Sequence, residues 1–166
     1  TIEMASAAYK NDEGIVGVPT GLRDLDDRLG GLHKSDLIII AGRPGMGKTA
    51  LTLSMARNMA VNSNMPVAFF SLEMSSVQLI TRLISSETGL NSEKLRTGKL
   101  EKFEWEQLNV KVSNLENAPL YIDDTPSLSI FELRAKARRL SSQFGIKLIV
   151  LDYLQLMTLG SSQKSG

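Results

Sequence analysis

Residues 42–49 read Gly42-Arg43-Pro44-Gly45-Met46-Gly47-Lys48-Thr49, an instance of G-x-x-x-x-G-K-[ST]. Such a run does its work only between a strand and a helix, so it dictates the architecture around it. Both neighbours are legible. Leu37-Ile38-Ile39-Ile40-Ala41 is apolar, β-branched and too short for a globular helix, and it reads as a strand buried on both faces of a parallel sheet. Beyond the run, Leu51, Met55 and Met59 recur at i, i+4 and i+8 within a helical stretch over 47–62. The glycines let the backbone turn so that successive N–H groups point inward as an anion nest. The helix start beyond Gly47 adds unpaired donors and partial positive charge. In this pattern Lys48 neutralises the β- and γ-phosphates, the Thr49 hydroxyl ligates Mg²⁺, and Pro44 stiffens the loop. The predicted nucleotide-phosphate contacts are residues 42–49 together with Ala50.

Three further apolar runs follow, at 66–70, 120–122 and 147–151, separated by helical patterns. Ser75 with Gln78, and Ser129 with Glu132, have capping-box spacing, and Gly89 and Gly145 suit the ends of the same two helices. Ile80, Leu83 and Ile84 form the predicted stripe of the first; Trp105, Leu108, Val112 and Leu115 predict another helix, with Trp105 as a packing residue. A short helix is expected over 91–98, and another over 22–29 with Thr20 as N-cap. Strands alternating with helices predict an α/β fold, a mostly parallel sheet covered by helices.

Acids stand at the ends of these strands, where ligands of open parallel sheets collect. Leu148-Ile149-Val150-Leu151-Asp152 is a Walker-B pattern, which would bring Asp152 near Thr49 and Mg²⁺. Glu73 follows Phe69-Phe70-Ser71-Leu72 and has two readings that spacing divides evenly: a general base for water, or a solvated residue at the start of the next helix. Asp123-Asp124 could help hold metal or water, but turn chemistry before Thr125-Pro126 is the plainer reading. Arg134, Lys136, Arg138 and Arg139 cannot share one helix face and read as solvated surface.

Composition excludes much else. The chain has 166 residues and no cysteine, so disulfide scaffolds, thiolate metal sites and thiol nucleophiles are ruled out. The single histidine, His33, sits at a turn and reads as a surface residue. A formal charge of +1 gives no bulk argument for nucleic acid. No apolar run approaches the ~20 residues of a membrane span, and no secretory signal is visible, so a cytoplasmic protein with no membrane partner is expected. Residues 1–14 read as a linker or arm, with Ile2, Met4, Ala5 and Ala8 along one side of a short helix; the Gly- and Ser-rich end from Met157 reads as a loop, and a fragment is expected.

Five blocks resemble, in order, the C-terminal RecA-like ATPase domain of bacterial replicative DNA helicases, the DnaB family. They are Gly17-Val18-Pro19-Thr20-Gly21-Leu22 with Leu25-Asp26; Asp36 through Thr49; Phe70-Ser71-Leu72-Glu73-Met74-Ser75; Tyr121 through Pro126; and Asp152-Tyr153-Leu154-Gln155-Leu156-Met157. The resemblance implies a RecA-like P-loop domain over 15–166, incomplete at its C-terminal end, preceded by a linker over 1–14. It implies Glu73 and Lys48 as catalytic residues, Thr49 and Asp152 as Mg²⁺ ligands, and ATP as substrate. It also implies a homohexamer on single-stranded DNA, with a primase and a helicase loader as partners. Lys164 would begin a DNA-facing loop. Family members continue with a sensor strand, DNA-contacting loops and an arginine that reaches the next subunit's γ-phosphate. A gap is therefore expected between strands 37–41 and 147–151, with turnover reduced by about 10³–10⁵ without the arginine. Two other functions compete: a recombinase or clock-type RecA relative, against which Leu72-Glu73-Met74-Ser75 and Asp152-Tyr153-Leu154-Gln155 argue, and a nucleotide-dependent loading or adaptor module.

Overall fold

The computed structural model describes residues 16–158 and, before them, Ile2, Glu3, Ala5 and Ser6, which are helical. The rest of the predicted arm, including Met4 and Ala8, and the loop carrying Lys164 lie outside the described residues. In chain order the elements are α1 (Arg23–Leu29), α2 (Lys48–Asn62), β1 (Val67–Ser71), α3 (Ser76–Thr88), α4 (Ser92–Thr97), α5 (Lys102–Glu116), β2 (Leu120–Asp123), α6 (Ile130–Phe144) and β3 (Leu148–Asp152). A 3-10 turn, Leu154–Leu156, follows.

The three strands form a parallel sheet in the order β2-β1-β3. β1 is central and buried along its whole length, as a strand covered on both faces must be. Its side chains alternate between two cores. Val67 and Phe69 pack with Leu53, Met55, Ala56, Met59 and Ala60 of α2 and with Leu79 and Leu83 of α3. Ala68 and Phe70 pack with Leu128, bordered by Leu133 and Leu140 of α6. Phe69 and Phe70 are almost wholly removed from solvent, each contributing about 1.5–3 kcal/mol of apolar burial. Parallel strands need long crossovers, and the helices supply them while covering the faces.

The two predicted capping boxes are met atom by atom. Ser75 accepts from Gln78 N–H while Gln78 accepts from Ser75 N–H, and Ser129 and Glu132 do the same. Gly89 and Gly145 close the two helices in the left-handed conformation. Asn91 caps α4.

Other expectations need correction. The strand over 37–41 is absent: these residues pair with nothing among the described residues, and Leu37, Ile38 and Ile39 are 88%, 42% and 81% exposed. A strand is held by ladder bonds to a neighbour, and among the described residues no strand lies beyond β3 to provide them. The expected gap is thus an open sheet edge, and only Ile40 of the run packs against the core. For the same reason Ile149 of β3 is 47% exposed. Thr20 is not the N-cap of α1; that position is Leu22, without a side-chain cap bond. On the predicted stripes Leu51, Ile80 and Trp105 are 38%, 45% and 45% exposed; in α3 the predicted Leu83 is buried, and Leu79, outside the predicted stripe, is buried with it. α5 buries Glu104, which pairs with Lys94 of α4 at 3.0 Å.

Candidate functional site

The loop at 42–47 rises from the unpaired segment and delivers the chain into α2. Gly45 and Gly47 have φ of 77° and 82°, values that L-residues with a Cβ rarely adopt, and Gly47 is the N-cap of α2. A reverse bond from Met46 N–H to Arg43 carbonyl closes the turn at 3.2 Å. The first intrahelical donor is Leu51 N–H, to Gly47 carbonyl at 2.9 Å. Among the described residues the backbone N–H groups of Lys48, Thr49 and Ala50 donate to nothing, as expected at a helix start. Gly42, Arg43, Pro44, Gly45, Met46 and Gly47 are all exposed, so the loop leading to these donors is open to solvent. That is the arrangement of an anion site.

Asp152 is the fixed point beneath this cradle. It ends β3 in register with Ser71 of β1 and is 2% exposed. The Thr49 hydroxyl donates to its Oδ2 at 2.8 Å. The Lys48 ammonium lies 3.8 Å from its Oδ1 and 4.0 Å above the centre of the Tyr153 ring. A buried carboxylate is tolerable only when paired in this way. The expectation that Asp152 meets Thr49 is therefore realised across 103 residues of chain. The motifs alone assign Tyr153 no role; an aromatic ring beside a strand-end acid is its only signal in the sequence, and the ring face attracts the lysine.

Glu73 lies two residues past Ser71 in the short connection from β1 to α3, on the same edge of the sheet as Asp152. It is exposed and has no hydrogen bond or ion pair among the described residues. Leu72 N–H continues the ladder to Asp152 carbonyl at 2.8 Å. Asp123 and Asp124 leave β2 at this edge and divide their work. Asp123 accepts from Thr125 N–H at 3.0 Å, the expected turn, and from the Lys136 ammonium at 2.7 Å. Burial pushes the Asp123 carboxyl up, but the Lys136 and Thr125 bonds outweigh it and hold it below its ordinary value. Asp124 accepts from Ser76 N–H at 2.7 Å, and the Ser76 backbone and hydroxyl likewise lower its carboxyl. Arg134, Arg138 and Arg139 read as surface, while Lys136 is not simply solvated.

Ala50 borders a second hollow, a 320 Å³ groove between α2 and α3 lined also by Leu53, Arg57 and Glu87. With a methyl side chain it can serve a nucleotide only through its backbone N–H. The groove itself is separate from the loop and from Asp152. His33 is half-buried and its Nε2 lies 3.1 Å from Leu29 carbonyl, outside the site. Among the described residues no three His, Cys, Asp or Glu side chains cluster to cage a metal. The donors available, the Thr49 hydroxyl and the Asp152 carboxylate, are hard oxygens of the kind Mg²⁺ takes when substrate oxygens complete its shell. No described helix is long and apolar enough to cross a membrane.

The chain is similar to curated replicative helicases. It is 46% identical over 157 residues to replicative DNA helicase DnaB of Geobacillus stearothermophilus, covering 95% of this chain and 35% of that protein. It is 45% identical over 157 residues to replicative DNA helicase DnaC of Bacillus subtilis (strain 168), covering 95% of this chain and 35% of that protein. The chain thus spans about a third of the length of these relatives. Among solved structures, a DnaB-like replicative helicase, described with its interactions with primase, superposes with a TM-score of 0.80 at 29% identity, covering 99% of this chain and 41% of that one. The α/β fold is therefore that of DnaB-like ATPase domains. The DnaB-like helicase C terminal domain model matches residues 17–166, and the chain belongs to that family.

Proposed function

We propose that this chain is part of an ATP-driven motor of a replicative DNA helicase, with residues 42–50, Glu73 and Asp152 as its nucleotide site. The observation that carries the reading is the Thr49–Asp152 bond at 2.8 Å beneath three unpaired N–H groups: a phosphate cradle joined to a strand-end carboxylate. Family membership and the names of the relatives support the helicase assignment.

The N–H groups of Lys48, Thr49 and Ala50 receive phosphate oxygens, and the Lys48 ammonium leaves Asp152 to neutralise them. Thr49 and Asp152 are the residues that would hold Mg²⁺. Held there, Mg²⁺ would supply positive charge against the phosphate oxygens. Glu73, exposed and uncommitted, takes a proton from water as the water oxygen bonds to the γ-phosphorus and the bond to the bridging oxygen breaks. Single-stranded DNA, a homohexameric ring, a primase and a loader are the proposed partners; the structural neighbour described with its interactions with primase supports that one.

The test is ATPase turnover with and without single-stranded DNA, on this chain and on a version extended to the length of its relatives. The expected result is DNA-stimulated turnover in the extended form, abolished by Lys48→Ala and by Glu73→Gln, with Glu73→Gln still binding nucleotide. Binding without turnover in either form would instead support an adaptor.

A further inference from the structure

Glu73 sits on a connection of only four residues, 72–75, and the bonds that hold it are of two kinds. Most are local. The Ser71 hydroxyl donates to Met74 carbonyl at 2.7 Å and accepts from Met74 N–H at 3.2 Å. Ser75 and Gln78 exchange two bonds at the start of α3. These set the shape of the connection but not its orientation toward the cradle. Two hydrogen bonds to residues far along the chain do that. Leu72 N–H binds Asp152 carbonyl, tying the entry to β3. Ser76 N–H binds Asp124 Oδ2 at 2.7 Å, tying the exit to the end of β2, 48 residues away.

We propose that Asp124 is a positioning residue for Glu73: by accepting the first N–H of α3 it fixes the exit of the connection, and so the direction in which the Glu73 carboxylate points. The inference rests on Glu73 being the general base. Ser76 N–H is one of the orphan donors of a helix start, and the N-cap Ser75 side chain is already committed to Gln78, so no residue of α3 replaces Asp124. Asp124 is itself exposed, so the tie contributes direction more than burial. The body of α3 is docked independently through Leu79 and Leu83, which are 0% and 6% exposed. Loss of Asp124 therefore frees the first turn of α3 without undocking the helix.

The test uses the extended, turning-over protein, with kcat and KM for ATP, affinity for a fluorescent ATP analogue, and thermal melting. Asp124→Ala is expected to lower kcat by about ten- to a hundred-fold, the scale of a small misplacement of a reacting group, with KM and analogue affinity within about two-fold of the parent. Asp124→Asn, which still offers an acceptor oxygen, is expected to recover most of kcat. Ser76→Pro removes the donor from the other side; proline suits the first position of a helix, and Ser75 at φ −69° and ψ 156° accepts a following proline. It should match Asp124→Ala, and the double variant should be no worse than either. Full kcat in Asp124→Ala, beside an inactive Glu73→Gln, overturns the inference alone. Loss of analogue affinity in Asp124→Ala, with no recovery in Asp124→Asn, also overturns it, since Asp124 would then act by its charge on nucleotide or metal. An unaffected Glu73→Gln overturns the general-base reading, and the positioning role with it.

Discussion

Asp26 is 4% exposed, and its carboxylate accepts from Thr20 N–H at 2.8 Å, Thr20 hydroxyl at 2.7 Å and Gly21 N–H at 3.2 Å. It fastens the segment before α1 to the helix itself, and Asn58 of α2 reaches the same segment through Thr20 carbonyl at 3.1 Å. Asp26→Ala strands the buried Thr20 donors, and urea unfolding is expected to show a loss of about 3 kcal/mol. Asp26→Asn, which keeps one acceptor, should lose less. The spacing of Leu22, Leu25, Asp26 and Leu29 is enough to predict the helix. It does not show that Thr20 serves Asp26 instead of the helix start, because that choice depends on the path of the chain through 20–22. The residues of the 42–49 motif are more legible, since the pattern predicts a task in phosphate chemistry for each side chain or N–H. Glu73 is legible only as a strand-end acid, and its even division between catalysis and solvation reflects that nothing near it in sequence binds it.

At the level of elements, both capping boxes are readable because their bonds join residues three apart. Ser129→Ala should cost about 1 kcal/mol by thermal or urea unfolding, the usual worth of such a cap. The strand expected at 37–41 fails for the opposite reason. Its composition states that the run is apolar and extended, but the neighbour that would make it a strand is not encoded in those residues. The tie between β2 and α6 gives a pH prediction. Asp123 has a lowered carboxyl in the folded state, so its pairing with Lys136 supports stability fully above the ordinary aspartate value. That support is lost as pH falls from about 4 through the lower folded value. Asp123→Asn should therefore be less stable than the parent at pH 7, and the difference should shrink in urea titrations carried below about pH 4.

Across the whole molecule, the packing is unequal. Among the described residues the sheet is well covered around β1 and open beyond β3, and Leu37 and Ile39 stand in solvent. Ile39→Lys is expected to change the stability of this chain by less than about 0.5 kcal/mol, as for other exposed positions. It should also reduce self-association in sedimentation, because an apolar segment with unpaired backbone invites contact with other chains. The helix-covered parallel sheet is legible from strand–helix alternation, and the meeting of Asp152 with Thr49 from the acid that ends an apolar strand; the unequal packing is not, since it depends on what lies beside β3. The Thr49–Asp152 bond also has a kinetic meaning. It closes a loop of 103 residues, and such a closure is entropically slow compared with the capping boxes and other short-range contacts. A chain emerging from synthesis carries the complete Gly42–Thr49 motif long before it carries the Asp152 carboxylate to which Thr49 bonds. If the proposed site needs both halves, nucleotide binding during refolding is expected to appear with the docking of β3, at the end of the folding reaction and not at its beginning.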